Sequence, residues 1–437
     1  MDPQDTLRAE ILSKVFAWAA NSTEPQQEFV PGQTPIPVSG KVMTPADYCS
    51  LVDASLDGWL TEGRHTDRFQ RELASFVGVR SATMVNSGSS ANLLALSALT
   101  SHKLGHRALK PGDEVITPAM GFPTTVNPIL QNGLKPVLVD VNVGTYDASI
   151  EQIREAVGPR TKAIMMAHTL GNPFDTAAVA AICEEKDLWL IEDSCDALGS
   201  RSHGRMAGSF GDTATLSFYP AHHITTGEGG AVLTNSPLIR RQVESFRDWG
   251  RDCYCRTGED NTCHKRFEWQ LGDLPQGYDH KYIYSHVGYN LKATDIQAAL
   301  GVTQLEKIDA FTQARQENFG RLYAALVGIE DLILPIATES SEPSWFGFPI
   351  TIHPDSKVDR THLLKFLDSK NIASRLMFAG NIKRQPAYQH TEFRQVSDLT
   401  NSDLIMNRSF WLGVYPGLTS EMIDFVGETI AHYFDGA

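Results

Sequence analysis

Ser217 to Val232 read SFYPAHHITTGEGGAV. This stretch links two β-rich runs, TATLSFYP (213–220) and AVLTN (231–235), through a polar turn that carries His222 and His223 and ends in Gly227-Glu228-Gly229-Gly230. Five further β-rich runs lie toward the N-terminus, namely ATMVN (82–86), EVITP (114–118), KPVLVDV (135–141), AIMMAH (163–168) and LWLIED (188–193). Helical patterns separate them, which predicts βα units and a mainly parallel sheet covered by helices on both faces. Ligands in such α/β sheets gather at the carboxyl ends of the strands.

Outside this core, residues 1–35 read as an amphipathic helix and a Pro/Gly-rich arm lying across a surface. Residues 36–325 form the expected large domain, which includes a polar, weakly periodic loop at 251–285 and one long helix over 294–326. Long irregular loops of this kind usually carry function or are disordered. Residues 326–437, with a strand-like WFGFPITIH (345–353) and a helix-like DRTHLLKFLDSKN (359–371), form a small C-terminal α/β domain.

The chain has 437 residues, 42% hydrophobic and 21% charged, with a formal net charge of -14, so a non-specific nucleic-acid binder is disfavoured. The N-terminus is acidic and its apolar pattern is interrupted, unlike a signal peptide, and no apolar run reaches the roughly 18 residues of a membrane span. These features predict a cytoplasmic protein with no membrane partner. Six cysteines in that setting favour thiols, metal or cluster ligation over a disulfide framework.

Three strand ends carry candidate chemistry. In VNSGSSANLLALSAL (85–99), the amides near Gly88, Ser89 and Ser90 either hold a phosphate at a helix N-terminus or belong to an ordinary capped turn. Asp193 ends an apolar run, where a carboxylate either pairs with a protonated pyridine nitrogen or caps a helix. Phe122 either stacks on a flat ring or fills core.

Taken together with the 217–232 stretch, these segments resemble the sugar aminotransferase branch of the fold-type I pyridoxal-phosphate enzymes, from about Trp59 (WLTEG) into the C-terminal domain. The resemblance implies that fold, with Gly88, Ser89 and Ser217 on the cofactor phosphate, Asp193 on the pyridine nitrogen and Phe122 stacked on the ring. VGYNLKATDIQAALG (287–301) matches a family segment whose asparagine, Asn290 here, reaches the phosphate of a neighbouring subunit, which implies a homodimer.

In that family a lysine five residues before the first glycine of G-E-G-G anchors the cofactor. Here the position is His222, and no lysine occurs between Lys186 and Lys265. The lysine has been replaced. Without its amine the cofactor is held non-covalently, most simply as pyridoxamine 5'-phosphate (PMP). Imidazole cannot form an imine but can move a proton near neutral pH, so His222 reads as a catalytic base or as the relic of a non-catalytic cofactor-binding regulator. Asp196, Tyr219 and His223 are expected in the same pocket.

Four of the cysteines are spaced C-x57-C-x-C-x7-C: Cys195, Cys253, Cys255 and Cys263. They suit tetrathiolate ligation of an iron-sulfur cluster or of zinc, with His264 as a spare ligand. Backbone geometry keeps the Cα atoms of residues 193 and 195 within about 7 Å, so whatever Cys195 binds lies beside the pyridine ring. Cys49 and Cys183 read as structural thiols.

The missing lysine and this spacing together resemble the iron-sulfur, PMP-dependent sugar 3-dehydrases of bacterial 3,6-dideoxyhexose (O-antigen) synthesis. GDP-sugar dehydratases of colitose synthesis share the histidine but lack the cluster. The resemblance implies a 2Fe-2S cluster, a CDP-4-keto-6-deoxyglucose substrate and a separate NADH-dependent flavin and iron-sulfur reductase as partner. The alternatives are another nucleotide, dTDP or GDP, or the regulator. Arg375, Lys383 and Arg384 either meet the diphosphate or form a solvated basic face.

Overall fold

The computed structural model describes residues 2–22 and 28–436; residues 23–27 of the expected N-terminal arm lie outside the described residues. All seven β runs form strands of one sheet: β1 (Ser81–Val85), β2 (Glu114–Pro118), β3 (Lys135–Val139), β4 (Thr161–Ala167), β5 (Trp189–Asp193), β6 (Thr213–Ser217) and β7 (Gly230–Thr234). Their order is β1-β7-β6-β5-β4-β2-β3, with a short strand, Arg394–Gln395, on the β3 edge. Neighbours from β6 across to Arg394–Gln395 run parallel, while β7 is antiparallel to both β1 and β6. Residues 218–229 hold turns and no helix, so the chain doubles back there instead of crossing over.

Alternate residues of each strand feed opposite faces, as the pleat requires. Met84, Ala231 and Leu233 pack against the helices Arg64–Val77 and Asp295–Leu305. Val85, Val232, Met165 and Ile191 pack against Gly88–Ala98 and Pro237–Arg247. Ile164, Met166 and Leu190 meet Ile150–Ala156 and Thr176–Lys186. Burial on both faces is why these strands read as nearly continuous apolar runs.

Towards the C-terminus a four-stranded antiparallel sheet, ordered Leu332–Ile333, Gly347–Ile352, Ser409–Gly413, Arg375–Leu376, shares a core with helices Ile308–Leu326, Arg360–Ser369 and Ser420–Asp435. The N-terminal helix Pro3–Ser22 packs on Pro45–Leu56, with Arg8 paired to Asp53 and Asp57. Ile36, at the first position of the expected large domain, is instead buried in the C-terminal core and bridges Ile372.

The expected single helix over 294–326 is two helices, Asp295–Leu305 and Ile308–Leu326. The last turn of the first tightens, with the Lys307 amide donating to the Gln304 carbonyl at 3.1 Å, and the bend carries the Lys307 ammonium onto buried Asp47. Periodicity could not reveal this break, because an ion pair to a distant residue accompanies it. In the 251–285 loop the regular element is one short 3-10 turn, His280–Tyr282. Among the described residues no helix is long and apolar enough to cross a membrane.

Candidate active site

Asp193 closes β5 with its carboxylate held from three elements. Oδ2 accepts hydrogen bonds from Asn92 Nδ2 (2.8 Å) and Thr125 Oγ1 (2.7 Å). Oδ1 accepts from the Cys195 amide (3.2 Å) and, more weakly, from Thr215 Oγ1 (3.4 Å). Such a carboxylate is fixed in direction by donors on several elements, as pairing with a ring nitrogen demands. Asn92 and Thr125 were not among the expected residues. Asn92 stands four residues after Gly88 on one helix face, a spacing that carried a usable signal; Thr125 carried none.

The turn before the helix Gly88–Ala98 is capped: Ser87 Oγ accepts from the Ser90 amide at 3.1 Å. Ser90 is taken by the cap, whereas the amides of Gly88 and Ser89 make no hydrogen bond among the described residues and remain free for an anion. A Cβ on Gly88 would lie 2.5 Å from Ser217 Cβ and 3.1 Å from Cys195 Sγ, so glycine is what lets these chain segments meet. Phe122 is 50% exposed and makes a T-shaped contact with Phe378.

His222 sits in the turn after β6, its Nδ1 3.4 Å from Asp196 Oδ1 and its ring 5.2 Å from that of Phe346. That separation suits an ion pair, but Nδ1 has no partner in hydrogen-bond geometry. Its carbonyl accepts from buried Arg315 (3.4 Å), which also binds the carbonyls of Trp345 and Phe346. Burial lowers the Arg315 guanidinium below its ordinary value, an effect that Asp196 opposes. His223 is buried, with Nε2 2.7 Å from the Ser344 carbonyl; burial, and then Arg315, hold it well below the usual imidazole range and therefore neutral. His223 thus faces the segment 344–346, whereas Tyr219 is half exposed.

Asn290 is exposed and bridges Asp248 through its backbone. Arg384 is paired with Asp403 (2.7 Å) and Lys383 donates to Gln395 (2.6 Å), while Arg375 is exposed. Cys49 donates to the Leu12 carbonyl at 3.5 Å and Cys183 lies in the core.

The four candidate ligand cysteines are not all gathered. Cys253, Cys255 and His280 present their ligand atoms within 4.8 Å of one another, and Cys263 Sγ lies 3.7 Å from both ring nitrogens of His280. Cys195 does not join this group; its Sγ lies under Gly88 and 4.0 Å from Thr215 Oγ1. Burial, reinforced by Asp193, pushes its thiol well above the ordinary range. His264 is exposed and outside the group, so the histidine beside the thiols is His280, which sequence proximity could not identify.

Residues 46–431 match the DegT/DnrJ/EryC1/StrS aminotransferase family. The chain belongs to that family. It is 56% identical, over 97% of its length and 98% of the relative's, to the lipopolysaccharide biosynthesis protein RfbH of Salmonella typhimurium. It is 58% identical to the dTDP-4-dehydro-2,6-dideoxy-D-glucose 3-dehydratase of Saccharopolyspora spinosa, covering 93% of this chain and 88% of that one. The structure of E. coli GDP-4-keto-6-deoxy-D-mannose-3-dehydratase with bound hydrated PLP superposes with a TM-score of 0.82 at 28% identity, covering 90% of this chain and 99% of that one. This DegT/DnrJ/EryC1/StrS chain thus has the fold-type I architecture.

Proposed function

We propose that this chain is a PMP-dependent sugar-nucleotide 3-dehydrase of deoxysugar and lipopolysaccharide synthesis. The observation that carries the reading is the His222–Asp196 pair standing where the family places an anchoring lysine, in a chain whose Asp193 is braced for a pyridine nitrogen.

The residues fit a phosphorylated pyridine. The free amides of Gly88 and Ser89 and the Ser217 hydroxyl would bind its phosphate at a helix N-terminus, Asp193 would keep the ring nitrogen protonated, and Phe122 would cover the ring. When bound, PMP supplies an amine that condenses with a keto group and a ring that delocalises electrons from a broken C–H bond. His222 takes up the proton, and Asp196 stabilises the imidazolium so formed. With no lysine in this turn, the cofactor is held by these non-covalent contacts.

The substrate we propose is CDP-4-keto-6-deoxyglucose. The relative named for a dTDP sugar, at 58% identity, favours dTDP as the second reading. Overall, the sugar loses its C3 hydroxyl as water and gains hydrogen at C3, with NADH and one proton as reductant through a flavin and iron-sulfur reductase. The loop thiols Cys253, Cys255 and Cys263, with Cys195 as fourth ligand, would hold a 2Fe-2S cluster, which supplies one-electron transfer. A homodimer with Asn290 reaching the neighbouring site completes the reading.

Incubating the holoenzyme with substrate in deuterated water tests the assignment. Wild type should wash out one methylene proton of the cofactor and His222→Asn should not. Amino transfer to the sugar with no loss of the C3 oxygen would overturn the dehydrase reading.

A further inference from the structure

His222 stands on a turn, residues 219–226, that has no regular structure of its own. A side chain on such a turn is aimed only as precisely as its main chain is held. Within the turn the His222 amide donates to the Tyr219 carbonyl at 2.9 Å. From outside, its carbonyl is held by Arg315, which comes from the helix Ile308–Leu326 and is 1% exposed. Arg315 Nη2 donates to the His222 carbonyl (3.4 Å), while Nη1 donates to the carbonyls of Trp345 (3.2 Å) and Phe346 (3.3 Å). Phe346 is the residue whose ring packs on the His222 imidazole, with centroids 5.2 Å apart and planes tilted by 33°. One planar fork therefore joins the main chain that carries the imidazole to the main chain that carries the ring beside it.

The 344–346 segment is itself fixed from three other places. The Ser344 amide donates to Ser200 Oγ (2.8 Å), the Ser344 carbonyl accepts from His223 Nε2 (2.7 Å), and the Phe346 amide donates to the Leu170 carbonyl (2.8 Å). Leu170 has φ 50°, a left-handed conformation that a residue with a side chain keeps only where its surroundings impose it. At Gly171, with φ 89°, a Cβ would lie 2.3 Å from the Ser344 carbonyl oxygen, so glycine is what lets these two segments touch.

The charge of Arg315 needs its own explanation. Among the described residues no carboxylate oxygen pairs with it directly; the acid whose charge acts on it is Asp196, the neighbour of His222 Nδ1. Burying a cation without a direct partner costs free energy that an apolar side chain of similar length, such as Met, would not. Packing alone therefore does not account for an arginine at this place.

We propose that Arg315 is a positioning residue for proton transfer at His222, holding the turn against the 344–346 segment so that the imidazole keeps one place between Asp196 and Phe346. The inference rests on the proposed function, in which His222 takes a methylene proton of the cofactor, and adds to it a residue that acts through His222.

The test uses the full-length chain loaded with PMP and follows exchange of the methylene proton in deuterated water with CDP-4-keto-6-deoxyglucose present. Arg315→Met should slow exchange by about 10- to 100-fold, the cost of a displaced catalytic group, with PMP affinity kept within about 2-fold. Arg315→Lys, which keeps the charge without the fork, should recover part of the rate. In a His222→Asn background the same Arg315→Met change should slow the residual exchange by less than about 3-fold, because the side chain it positions is gone. A second readout involves no turnover: in His222→Lys with pyridoxal phosphate, adding Arg315→Met should slow growth of the visible imine band by about 10-fold, since the new amine is no longer held at the cofactor. Exchange at the wild-type rate in Arg315→Met, an equal loss with and without His222, or imine formation that Arg315→Met leaves unchanged overturns the proposal. If Arg315→Met does not fold, Arg315→Lys takes its place, and a wild-type rate in that variant overturns the proposal too. Absent exchange in the wild type would instead sink the dehydrase reading, and the imine measurement would still decide the role of Arg315.

Discussion

Asp196 Oδ1 stands 3.4 Å from His222 Nδ1, and the far side of the same turn is tied by Arg315 to the segment 345–346. His222 is therefore a braced side chain beside a carboxylate and not a loose substituent of the turn. A charged hydrogen bond or close ion pair contributes about 1.5–3 kcal/mol in such settings, or roughly 10- to 100-fold in rate. Asp196→Asn should slow proton exchange on the cofactor by that factor while leaving cofactor affinity within about 2-fold. An unchanged exchange rate would remove Asp196 from the proton-transfer step.

His222→Asn should lose about 10²–10⁴ in exchange rate, the ordinary range for a positioned base. His222→Lys should form an imine with pyridoxal phosphate that borohydride traps on residue 222, detectable by peptide mass spectrometry. Failure to trap would mean that residue 222 does not face the cofactor.

Gly88→Ala would set a Cβ 2.5 Å from Ser217 Cβ at the phosphate end of the site. Overpacking of this kind costs about 1–3 kcal/mol. Cofactor affinity measured by equilibrium titration should fall, and thermal stability should fall with it. Ser89→Ala, whose side chain is exposed, should change neither by much.

Cys253→Ala should abolish metal binding by the loop while leaving Asp193, Ser217 and His222 in place. The variant should still exchange the substrate's C3 oxygen with labelled water, yet form no 3-deoxy product with reductase and NADH. Product at the wild-type rate would make the loop metal structural.

Acid should destabilise the fold through His286, whose ring nitrogens meet Ser101 Oγ (2.8 Å) and Ser245 Oγ (2.9 Å). Burial, then the nearby Lys103 and His102, push its pKa down to about 4, below the ordinary 6.5. Between those values the unfolded chain binds a proton that the folded chain refuses, so stability rises with pH across the window and is lost on acidification. The loss is at most about 3 kcal/mol, and less because the ring is partly exposed. Urea midpoints measured from pH 6.5 to 4 should therefore decline less steeply in His286→Gln than in wild type.

The seven strands and the absent lysine were legible in the sequence, because each is a local fact: a buried strand is an apolar run, and an amine is either present or not. The capped turn at Ser87 and the helix start at Gly88 were legible for the same reason, since a cap acts within one turn. What holds Asp193 was not. Asn92 and Thr125 come from other helices, and only the order of the strands brings them to one carboxylate. The break at Lys307 likewise depends on Asp47, far away in the chain. The cysteine spacing predicted a tetrad including Cys195, but spacing measures distance along the chain. In the fold Cys195 lies beneath Gly88, and the irregular loop brings His280 to Cys253 and Cys255. Residue chemistry and periodicity were set by the sequence alone; the donor sets were decided by tertiary structure, because a ligand cluster is defined by distances through space.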